Sequence, residues 1–396
     1  MADVLIAGIG QSPVGEHWDL SLRELALHAI QAAQQDAGGL QPQIVIVANM
    51  LAPLLSNQAH LGALIADFAG MSGIEAFTVE AAGASGGAAL RAGYLAIASG
   101  QADVALVVGV EKFTDQIGAS AEAALASAAD SDFEAVHGIT STAQAALLMR
   151  RYLHETGAPR QAFAGFSITA HANAASNPNA MYPKPISASA YQKASLVSEP
   201  LNLLDIASFA DGAAAVILAR SDLLPAGYPH PLVRIAASSM ATDTLALHDR
   251  PDPLDFQAAR LSVERALWRA GIAPDQVDLF ELYDAYSIYA ALSLEAAGYA
   301  ARGQGWQLAQ NGDISLNGAI PIATLGGLKG RGNPGGATGV YQAVEASLQL
   351  RGKAGANQIA GARRALIQCL GGPASSAVAH VLERLDDRSA SRLTID

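Results

Sequence analysis

The chain has 396 residues, of which 51% are hydrophobic and 15% are charged, and its formal net charge at pH 7 is -12. This composition excludes a disordered polypeptide, and the acidic balance excludes both the basic footprint of a nucleic-acid binder and adhesion to an anionic membrane surface. Its one cysteine, Cys369, excludes an internal disulfide and a cysteine-based zinc cluster.

Apolar strands and amphipathic helices alternate along the first half of the chain. Strands are predicted at residues 4–9, 44–48, 77–81, 104–110 and 213–218, and helices after Ser21 and at residues 60–68 and 88–99. Strands that alternate with helices form mostly parallel sheets with helices on both faces. The sequence therefore predicts an α/β fold.

Residues 112–200 have a different composition. They are polar, rich in Ala, Ser and Asn, and show no clear strand pattern. Helical spacing of apolar residues predicts helices at 142–156 and 160–173. We therefore expect a mostly helical insertion between two strands of the sheet.

The second half of the chain repeats the pattern of the first. Strands are predicted at residues 233–237, 277–282, 365–369 and 377–382, and helices at 255–270, 287–297 and 336–350. A glycine-rich helix start occurs in each half, at 85–89 and at 334–338. Such self-similarity indicates a duplicated α/β unit, with an N-terminal half at 1–225 and a C-terminal half at 230–396.

The longest uninterrupted apolar runs, such as residues 104–110, are far too short to span a bilayer. The first residues also lack the basic region of a secretory signal. We expect a cytoplasmic protein without a membrane segment.

Two segments place chemically useful groups at the ends of predicted strands. In residues 79–87 (VEAAGASGG), a strand runs into a glycine turn and a helix N-terminus, which favours an anion or a developing oxyanion; the alternative is a tight turn for close helix packing. In residues 281–287 (ELYDAYS), Tyr283 and Asp284 end a strand and could handle protons; the alternative is that Asp284 or Ser287 caps the next helix.

Two more segments are rich in glycine. Residues 330–339 (GRGNPGGATG) contain five glycines, which indicates that the backbone there lies very close to something, although the lysine of a phosphate-binding loop is missing. Residues 368–373 (QCLGGP) place Cys369 at a strand end, where a lone cysteine is more often a small buried residue than a reactive one.

Together these segments resemble the thiolase superfamily over essentially the whole chain, and in particular its sterol-carrier and lipid-transfer type. The resemblance rests on four further stretches: PLNLLD at 200–205 followed by DGAAA at 211–215, HANAASNP at 171–178, GQGWQL at 303–308 and TLGGLKG at 324–330. It implies two similar α/β halves that form a layered αβαβα core with a mostly helical loop insertion.

Three departures from the family pattern fall on one site. Gly83 stands where family members place the nucleophilic cysteine, so no acyl-enzyme can form there. Asn333 stands where the family has the activating histidine, and it can orient or hydrogen-bond but not accept a proton. Tyr283 replaces a second histidine, whereas Cys369 matches the second acid/base cysteine of the family.

The resemblance therefore implies carbon–carbon bond cleavage or formation of the retro-aldol type on an acyl-CoA thioester, without an acyl-cysteine. Tyr283 would move the proton, with Asp284 fixing its position, and Cys369 could protonate the enolate carbon. A phenol is a poor base unless a neighbour lowers its pKa. Backbone groups at Gly83 and Gly371 would stabilise the oxyanion.

The glycines of the 330–339 segment, Gly335 and Gly336, would approach the substrate, and no metal site is expected. Coenzyme A enters only as part of the substrate, with no other cofactor. The resemblance also implies a homodimer or tetramer, and it is compatible with a small zinc-ribbon/OB-fold partner protein.

Two other functions stay open on the sequence. The loss of the nucleophile and its histidine is also what a catalytically degenerate acyl-CoA-binding or scaffold subunit would show. An acyltransferase that uses Cys369 as its nucleophile is the third hypothesis.

Overall fold

The computed structural model describes residues 3–116, 118–225 and 227–385. Its strands are β1 (Val4–Gln11), β2 (Ile44–Ala48), β3 (Glu75–Val79), β4 (Val104–Glu111), β5 (Leu196–Ser198), β6 (Leu201–Asn202), β7 (Gly212–Arg220), β8 (Val233–Thr242), β9 (Leu279–Glu281), β10 (Arg364–Gly371) and β11 (Ser376–Arg384). Its α-helices are α1 (Leu22–Asp36), α2 (Ala52–Leu55), α3 (Leu61–Phe68), α4 (Ser85–Ala98), α5 (Gly118–Ala126), α6 (Ser141–Thr156), α7 (Ala164–Ala174), α8 (Ala188–Lys193), α9 (Gln257–Ala270), α10 (Ser287–Ala296), α11 (Gly305–Asn311), α12 (Gly327–Arg331) and α13 (Thr338–Leu350).

Nine strands form a mixed sheet in the order β3-β2-β4-β7-β1-β8-β11-β10-β9. The strands β2, β3 and β4 are parallel, as are β9 and β10, whereas every pairing between β4 and β10 across the middle is antiparallel. The expectation of a mostly parallel sheet was therefore wrong. The short turn between β10 and β11 shows one reason, because a connection of that length can join only antiparallel neighbours.

The strand order mirrors itself about the centre of the sheet. The series β1-β7-β4-β2 runs one way and β8-β11-β10-β9 runs the other, and the pairing of Leu5 with Arg234 joins the two at β1 and β8. Helix α1 packs on β1 and β7, and α9 packs on β8 and β11 in the equivalent place. The structure thus confirms the two similar α/β halves.

Helices α4 and α13 form the central layer of the molecule. Each contacts strands of both halves, and the two helices contact each other. They can approach so closely because glycines lie at the crossing: a Cβ atom on Gly86 would lie 2.6 Å from the backbone nitrogen of Gly339. The layering is therefore helix, sheet, central helices, sheet, helix, as the αβαβα expectation requires.

Local signals account for many element boundaries. Ser21 and Glu24 form the capping box that begins α1, with each side chain bound to the other's backbone. The strands β2 and β4 are buried along their whole length, which explains their continuous apolar sequences. The ends of the predicted halves at residues 1–2 and 386–396 lie outside the described residues.

The insertion is mostly helical, as expected, but it contains elements that the sequence analysis did not predict. Residues 160–173 form a 3-10 turn, Arg160–Phe163, followed by α7 rather than one helix. The strands β5 and β6 form a small separate sheet at the end of the insertion. Throughout the described ranges, no helix has the length and apolarity that a membrane crossing demands.

Candidate active site

A pocket of about 580 Å³, open to solvent at its mouth, lies where the two halves and the insertion meet. The first half contributes Met50 and Gly83, and the second half contributes residues that follow β9 and β10 or precede α13. The insertion contributes side chains of α5 and α6 to the same wall. The pocket is lined by Met50, Gly83, Leu125, Ala128, Ala129, Ser141, Gln144, Ala207, Phe209, Tyr283, Ala285, Tyr286, Tyr289, Asn333, Gly335, Gly372 and Pro373.

The hydroxyl of Tyr283 occupies the space that a side chain at position 83 would fill. A Cβ atom built on Gly83 would overlap the Tyr283 hydroxyl oxygen and would lie 2.8 Å from Cζ of the same ring. It would also lie 2.7 Å from the backbone oxygen of Leu370. The position of the Tyr283 ring therefore requires a residue without a side chain at position 83, and in this sense Gly83 and Tyr283 are complementary.

The environment of Tyr283 keeps its phenol protonated. Burial raises its pKa well above the usual value, the nearby Tyr286 and Cys369 raise it further, and a hydrogen bond with the Asn333 side chain opposes the shift only in part. A tyrosine that acts as a free base would need a lowered pKa. This raised pKa keeps the proton on Tyr283 while the pocket is empty, so the side chain is not a free phenolate base.

Two further tyrosines line the pocket, and the sequence analysis did not single them out. The rings of Tyr286 and Tyr289 meet edge to face with centroids 4.9 Å apart, and the Tyr286 hydroxyl lies 3.2 Å from Oγ1 of Thr142 in α6. Burial raises the pKa of both phenols, so both are neutral. The recurrence of tyrosine at positions 283, 286 and 289 was the available signal in the sequence, although only Tyr289 lies within α10.

Asn333 is buried at the floor of the pocket. Its Oδ1 accepts hydrogen bonds from the backbone N–H of Gly335 at 3.1 Å and from Oγ1 of Thr338 at 3.4 Å. Its acceptor is therefore engaged, which leaves the amide nitrogen as the group that can serve a ligand or Tyr283. This arrangement fits the expected hydrogen-bonding role.

Asp284 points away from the pocket. Its Oδ1 accepts a hydrogen bond of 2.7 Å from the backbone N–H of Leu328. Burial raises the pKa of this carboxyl, and the nearby Lys329 ammonium offsets only part of that rise. Tyr283 lines the pocket, whereas Asp284 does not. The expectation that they act as a pair at one site is corrected accordingly.

Cys369 also lies outside the pocket lining. Its side chain is completely buried, and its Sγ donates a hydrogen bond to Oε1 of Gln342 at 2.9 Å. Burial raises the pKa of the thiol to about 12. A thiol in this environment is neither exposed to a substrate nor ionised, which argues against its use as a nucleophile.

Of the glycines that were predicted to contact the substrate or the oxyanion, some line the pocket and others do not. Gly335 lines the pocket, whereas the backbone N–H of Gly336 donates to Oε2 of Glu111 at 2.9 Å. After β10 the lining residue is Gly372 rather than Gly371, whose absent side chain makes room for the backbone oxygen of Ala81.

Glu111 holds the two sides of the pocket together, and the sequence analysis missed it. Its carboxylate accepts hydrogen bonds from the backbone N–H groups of Met50, Leu51 and Gly336 and from the Asn49 amide. Burial raises its pKa to about 7 against those hydrogen bonds. A lone acidic residue at a strand end carried no signal in the sequence.

A cluster of charged side chains is buried behind the pocket wall. Nη1 of Arg331 binds Oε2 of Glu345 at 2.7 Å, and the guanidinium lies over the ring of Tyr341 at 4.9 Å. Burial and the nearby Glu345 carboxylate raise the pKa of Glu281 to about 8. Within the described ranges, no group of three or more His, Cys, Asp or Glu side chains is arranged to hold a metal ion.

Comparisons with known proteins agree with the fold and with the resemblance. A family model described as "Thiolase, N-terminal domain" matches residues 4–222, and one described as "Thiolase C-terminal domain-like" matches residues 239–384. The chain is 39% identical over 386 residues to an "Acetyl-CoA acetyltransferase" of Methanothermobacter thermautotrophicus, which covers 97% of this chain and 100% of that protein.

One further relative and one solved structure are also similar to this chain. The chain is 30% identical over 377 residues to a "17-hydroxy-3-oxo-4-pregnene-20-carboxyl-CoA lyase" of Mycobacterium tuberculosis, which covers 91% of this chain and 95% of that protein. The solved structure of an "Ltp2-ChsH2(DUF35) aldolase" superposes with a TM-score of 0.81 at 24% identity, covering 97% of this chain and 98% of that one.

Proposed function

The chain belongs to the thiolase superfamily, and from that membership we propose that it acts on an acyl-CoA thioester by aldol-type chemistry. In the cleavage direction, the bond between the α- and β-carbons of a β-hydroxyacyl thioester breaks. The products are an aldehyde or ketone and a shorter acyl-CoA. No acyl group is attached to the protein at any stage.

The exchange at positions 83 and 283 is the observation that carries the proposal. The nucleophilic sulfur of the family is replaced by a hydrogen atom at Gly83, and the hydroxyl of Tyr283 fills the vacated space. A degenerate site would not need a functional group in that space. The replacement of one functional group by another supports a changed reaction rather than a lost one.

The proton balance of the reaction suits a neutral phenol. Cleavage removes the β-hydroxyl proton, and the enolate that leaves needs a proton on its α-carbon, so no net proton is gained or lost. As the carbon–carbon bond breaks, Tyr283 can take the proton of the β-hydroxyl and in the same step give its own proton to the α-carbon, so it is neutral before and after. Its raised pKa agrees with this role, because no free phenolate is required.

Two neighbouring features support stabilisation of the enolate oxygen. The amide of Asn333 lines the pocket, and Gly83 lies just before the N-terminus of α4, where backbone N–H groups and the helix dipole favour negative charge. Donors aimed at developing charge in a site largely closed to water typically contribute a factor of about 100 or more each.

The name of the Methanothermobacter relative suggests acetyl transfer as the competing function. Against it stand the hydrogen atom at Gly83 and the buried thiol of Cys369, which does not reach the pocket. The match with the Mycobacterium relative, whose name describes a lyase, extends over 377 residues, against 386 for the Methanothermobacter relative. Its name favours bond cleavage. Binding of an acyl-CoA without turnover would support the scaffold hypothesis.

The test is to incubate the protein with 3-hydroxybutyryl-CoA and 3-hydroxydecanoyl-CoA and to measure the aldehyde and acetyl-CoA formed. We expect cleavage, and a loss of about 100-fold in kcat/KM for Tyr283→Phe. The matched control is Tyr299→Phe, because the Tyr299 hydroxyl donates to the backbone oxygen of Pro274, outside the pocket. Equal activity of Tyr283→Phe and wild type, or an acyl adduct found by mass spectrometry, would disprove the proposal.

A homodimer or tetramer, a cytoplasmic location, domain boundaries near residues 225 and 230, and a small zinc-ribbon/OB-fold partner stay predictions. The aldolase with the similar fold is described together with a DUF35 protein, which supports a partner for this chain. Size-exclusion chromatography with light scattering would measure the oligomeric state.

A further inference from the structure

The turn between β10 and β11, residues 371–375, forms one side of the pocket. Gly372 and Pro373 line the pocket directly. Ala374 adopts a φ of 60°, a left-handed conformation that residues with a side chain rarely take. Such a conformation persists only where the surrounding structure enforces it. The contacts that hold this turn therefore determine the shape of the pocket on this side.

Arg250 holds the turn from behind the pocket wall. Its Nη1 donates a hydrogen bond of 2.7 Å to the backbone oxygen of Pro373. The backbone N–H of Asp243 donates to the backbone oxygen of Ser375 at 2.8 Å. The segment 243–250, which leads from β8 to α9, is thus tied to the turn at two points, and the Arg250 side chain supplies one of them.

The guanidinium of Arg250 is buried without a close counter-ion. Its side chain is 1% exposed, and the Asp243 carboxylate lies 3.9 Å away, measured from Oδ2 to Nε, beyond hydrogen-bond distance. Nε donates instead to the backbone oxygen of Thr244 at 2.9 Å, and Nη2 has no hydrogen-bond partner in the part of the chain that the structure describes. A buried cation with an unused donor is unfavourable for stability. Its position behind the pocket therefore favours a role in function.

The positive charge of Arg250 is felt at the pocket wall. Tyr289 lines the pocket, and burial raises the pKa of its phenol. The nearby Tyr286 and Tyr283 raise this pKa further, whereas the Arg250 guanidinium opposes the rise. Negative charge that develops in the pocket is therefore favoured by Arg250, although Arg250 itself does not line the pocket.

Two other cations are buried near the pocket, and both have carboxylates beside them. Arg331 binds Glu345 at 2.7 Å. Burial lowers the pKa of Lys329, and the nearby Asp284 carboxylate opposes this effect. These two charges are compensated in the interior, whereas Arg250 hydrogen-bonds only to backbone oxygens in the described ranges. Of the three cations, Arg250 is the one whose charge is free to act on the pocket.

We propose that Arg250 is a positioning residue of the reaction: it holds the turn 371–375 against the pocket, and its positive charge stabilises the enolate that forms there. The inference rests on the proposed function, because the enolate is the intermediate of that reaction. The acyl part of the bound substrate carries no charge before the bond breaks, so Arg250 acts on the chemical step and not on binding.

The experiment compares wild type, Arg250→Met and Arg250→Lys with 3-hydroxybutyryl-CoA. It measures kcat for cleavage, and the dissociation constant by calorimetry in the Tyr283→Phe background, which suppresses turnover. We expect Arg250→Met to lower kcat about 30-fold and to change the dissociation constant less than about threefold. Arg250→Lys should recover about tenfold of the loss in kcat, because it keeps the charge and loses only the planar fork of donors.

Hydrogen exchange measured by mass spectrometry reports on the turn without any turnover. The peptide that contains residues 371–375 should exchange its amide protons about tenfold faster in Arg250→Met, because the hydrogen bond to Pro373 is lost. The control is Arg265→Met, which changes an exposed arginine. We expect it to change kcat, the dissociation constant and the exchange rate by no more than about twofold.

A kcat of Arg250→Met equal to that of the wild type would overturn the inference, and so would a loss that appears wholly in the dissociation constant. Arg250→Lys no more active than Arg250→Met would show that the charge has no part in the reaction, which also overturns it. If the wild type does not cleave the ester, the proposed function fails and the exchange rate decides for Arg250. Faster exchange in Arg250→Met then retains its positioning of the turn, and unchanged exchange removes it.

Discussion

Tyr283 and Asp284 are neighbours in the chain, but they belong to regions of opposite character. Tyr283 faces the pocket, whose polar groups are phenols, amides and backbone N–H groups without charge. Asp284 faces a dry interior where charged side chains meet. These buried charged residues are Asp205, Glu281, Asp284, Lys329, Arg331 and Glu345.

The difference teaches that these charged groups next to the pocket are engaged with one another in the interior, whereas the neutral groups are the ones that the proposed reaction would use. Arg331 and Glu345 form an ion pair between α12 and α13, on either side of the segment that carries Asn333 and Gly335. A carboxylate in the pocket would repel the enolate that the proposed reaction forms, whereas a phenol or an amide can donate to it. Strongly raised pKa values occur in both regions, at Tyr283 and at Glu281, so such shifts alone do not distinguish the two.

The largest effect that would sharpen this comparison is expected from Arg331→Met. The substitution leaves Glu345 buried without its cation, and such a loss lowers the free energy of unfolding by about 3–5 kcal/mol. Guanidinium unfolding followed by circular dichroism measures it. The exposed Arg265→Met is the control and should change stability by less than about 0.5 kcal/mol. A loss below about 1 kcal/mol for Arg331→Met would assign the cluster another role.

The next effect concerns the pocket side of the boundary. Gly83→Ala introduces a methyl group that overlaps the Tyr283 hydroxyl, and overpacking of this kind lowers the free energy of unfolding by about 1–3 kcal/mol. In a Tyr283→Ala background the same substitution should cost less, because only the close approach of 2.7 Å to the Leu370 backbone oxygen then remains, so the two changes are coupled. Gly15→Ala is the control, because nothing lies within 4 Å of a Cβ there. Additive effects would contradict the complementarity of Gly83 and Tyr283.

The pH dependence of stability tests the charged region. The folded-state pKa of Glu281 is raised to about 8, above its ordinary value of 4.5, so the folded protein holds a proton that the unfolded chain releases in this range. The stability therefore falls as the pH rises from about 5 to about 8, by up to about 1.4 kcal/mol per pH unit for one proton. Unfolding midpoints at several pH values measure the slope.

Glu281→Gln should flatten this slope, and Glu264→Gln, which changes an exposed side chain, should leave it unchanged. Glu111, whose pKa is raised to about 7, adds a slope of the same sign. A slope that is equal in wild type and Glu281→Gln would show that Glu281 is ionised in the folded protein.

The smallest effect is expected at Cys369. Because the thiol is buried and binds Gln342, Cys369→Ser should change kcat/KM less than about threefold, in contrast to Tyr283→Phe. Iodoacetamide should label the thiol only after unfolding, since the pKa of about 12 keeps it protonated. Rapid labelling of the native protein, or an acyl group on Cys369, would place the thiol in the reaction.

Much of the fold could be predicted from the sequence, because buried strands and amphipathic helices have strong local patterns. The strand Ile44–Ala48 and the capped start of α1 are examples. The directions of the strands could not be predicted, because they depend on which neighbours pair across the sheet. The strands β5 and β6 were missed because they are too short to show a period.

The site was predictable where one residue type replaced another at a recognisable place, as at Gly83, Tyr283 and Asn333. It was not predictable where the direction of a side chain decides whether the residue lines the pocket. Asp284 and Cys369 are next to the pocket in sequence but point into the core. Gln144 lies far from the other pocket residues in the chain, and only the fold brings it to them.

The crossing of α4 and α13 has a consequence for how the site is acquired during folding. A Cβ atom on Gly339 would overlap the backbone nitrogen of Gly87. The two helices therefore pack in one arrangement that tolerates little displacement along their axes. Gly83 and Asn333 lie just before these two helices, one from each half of the gene. A fragment that ends near residue 225 would contain the residues of only one side of the pocket. We expect such a fragment to bind the ligand only after it associates with the complementary C-terminal fragment.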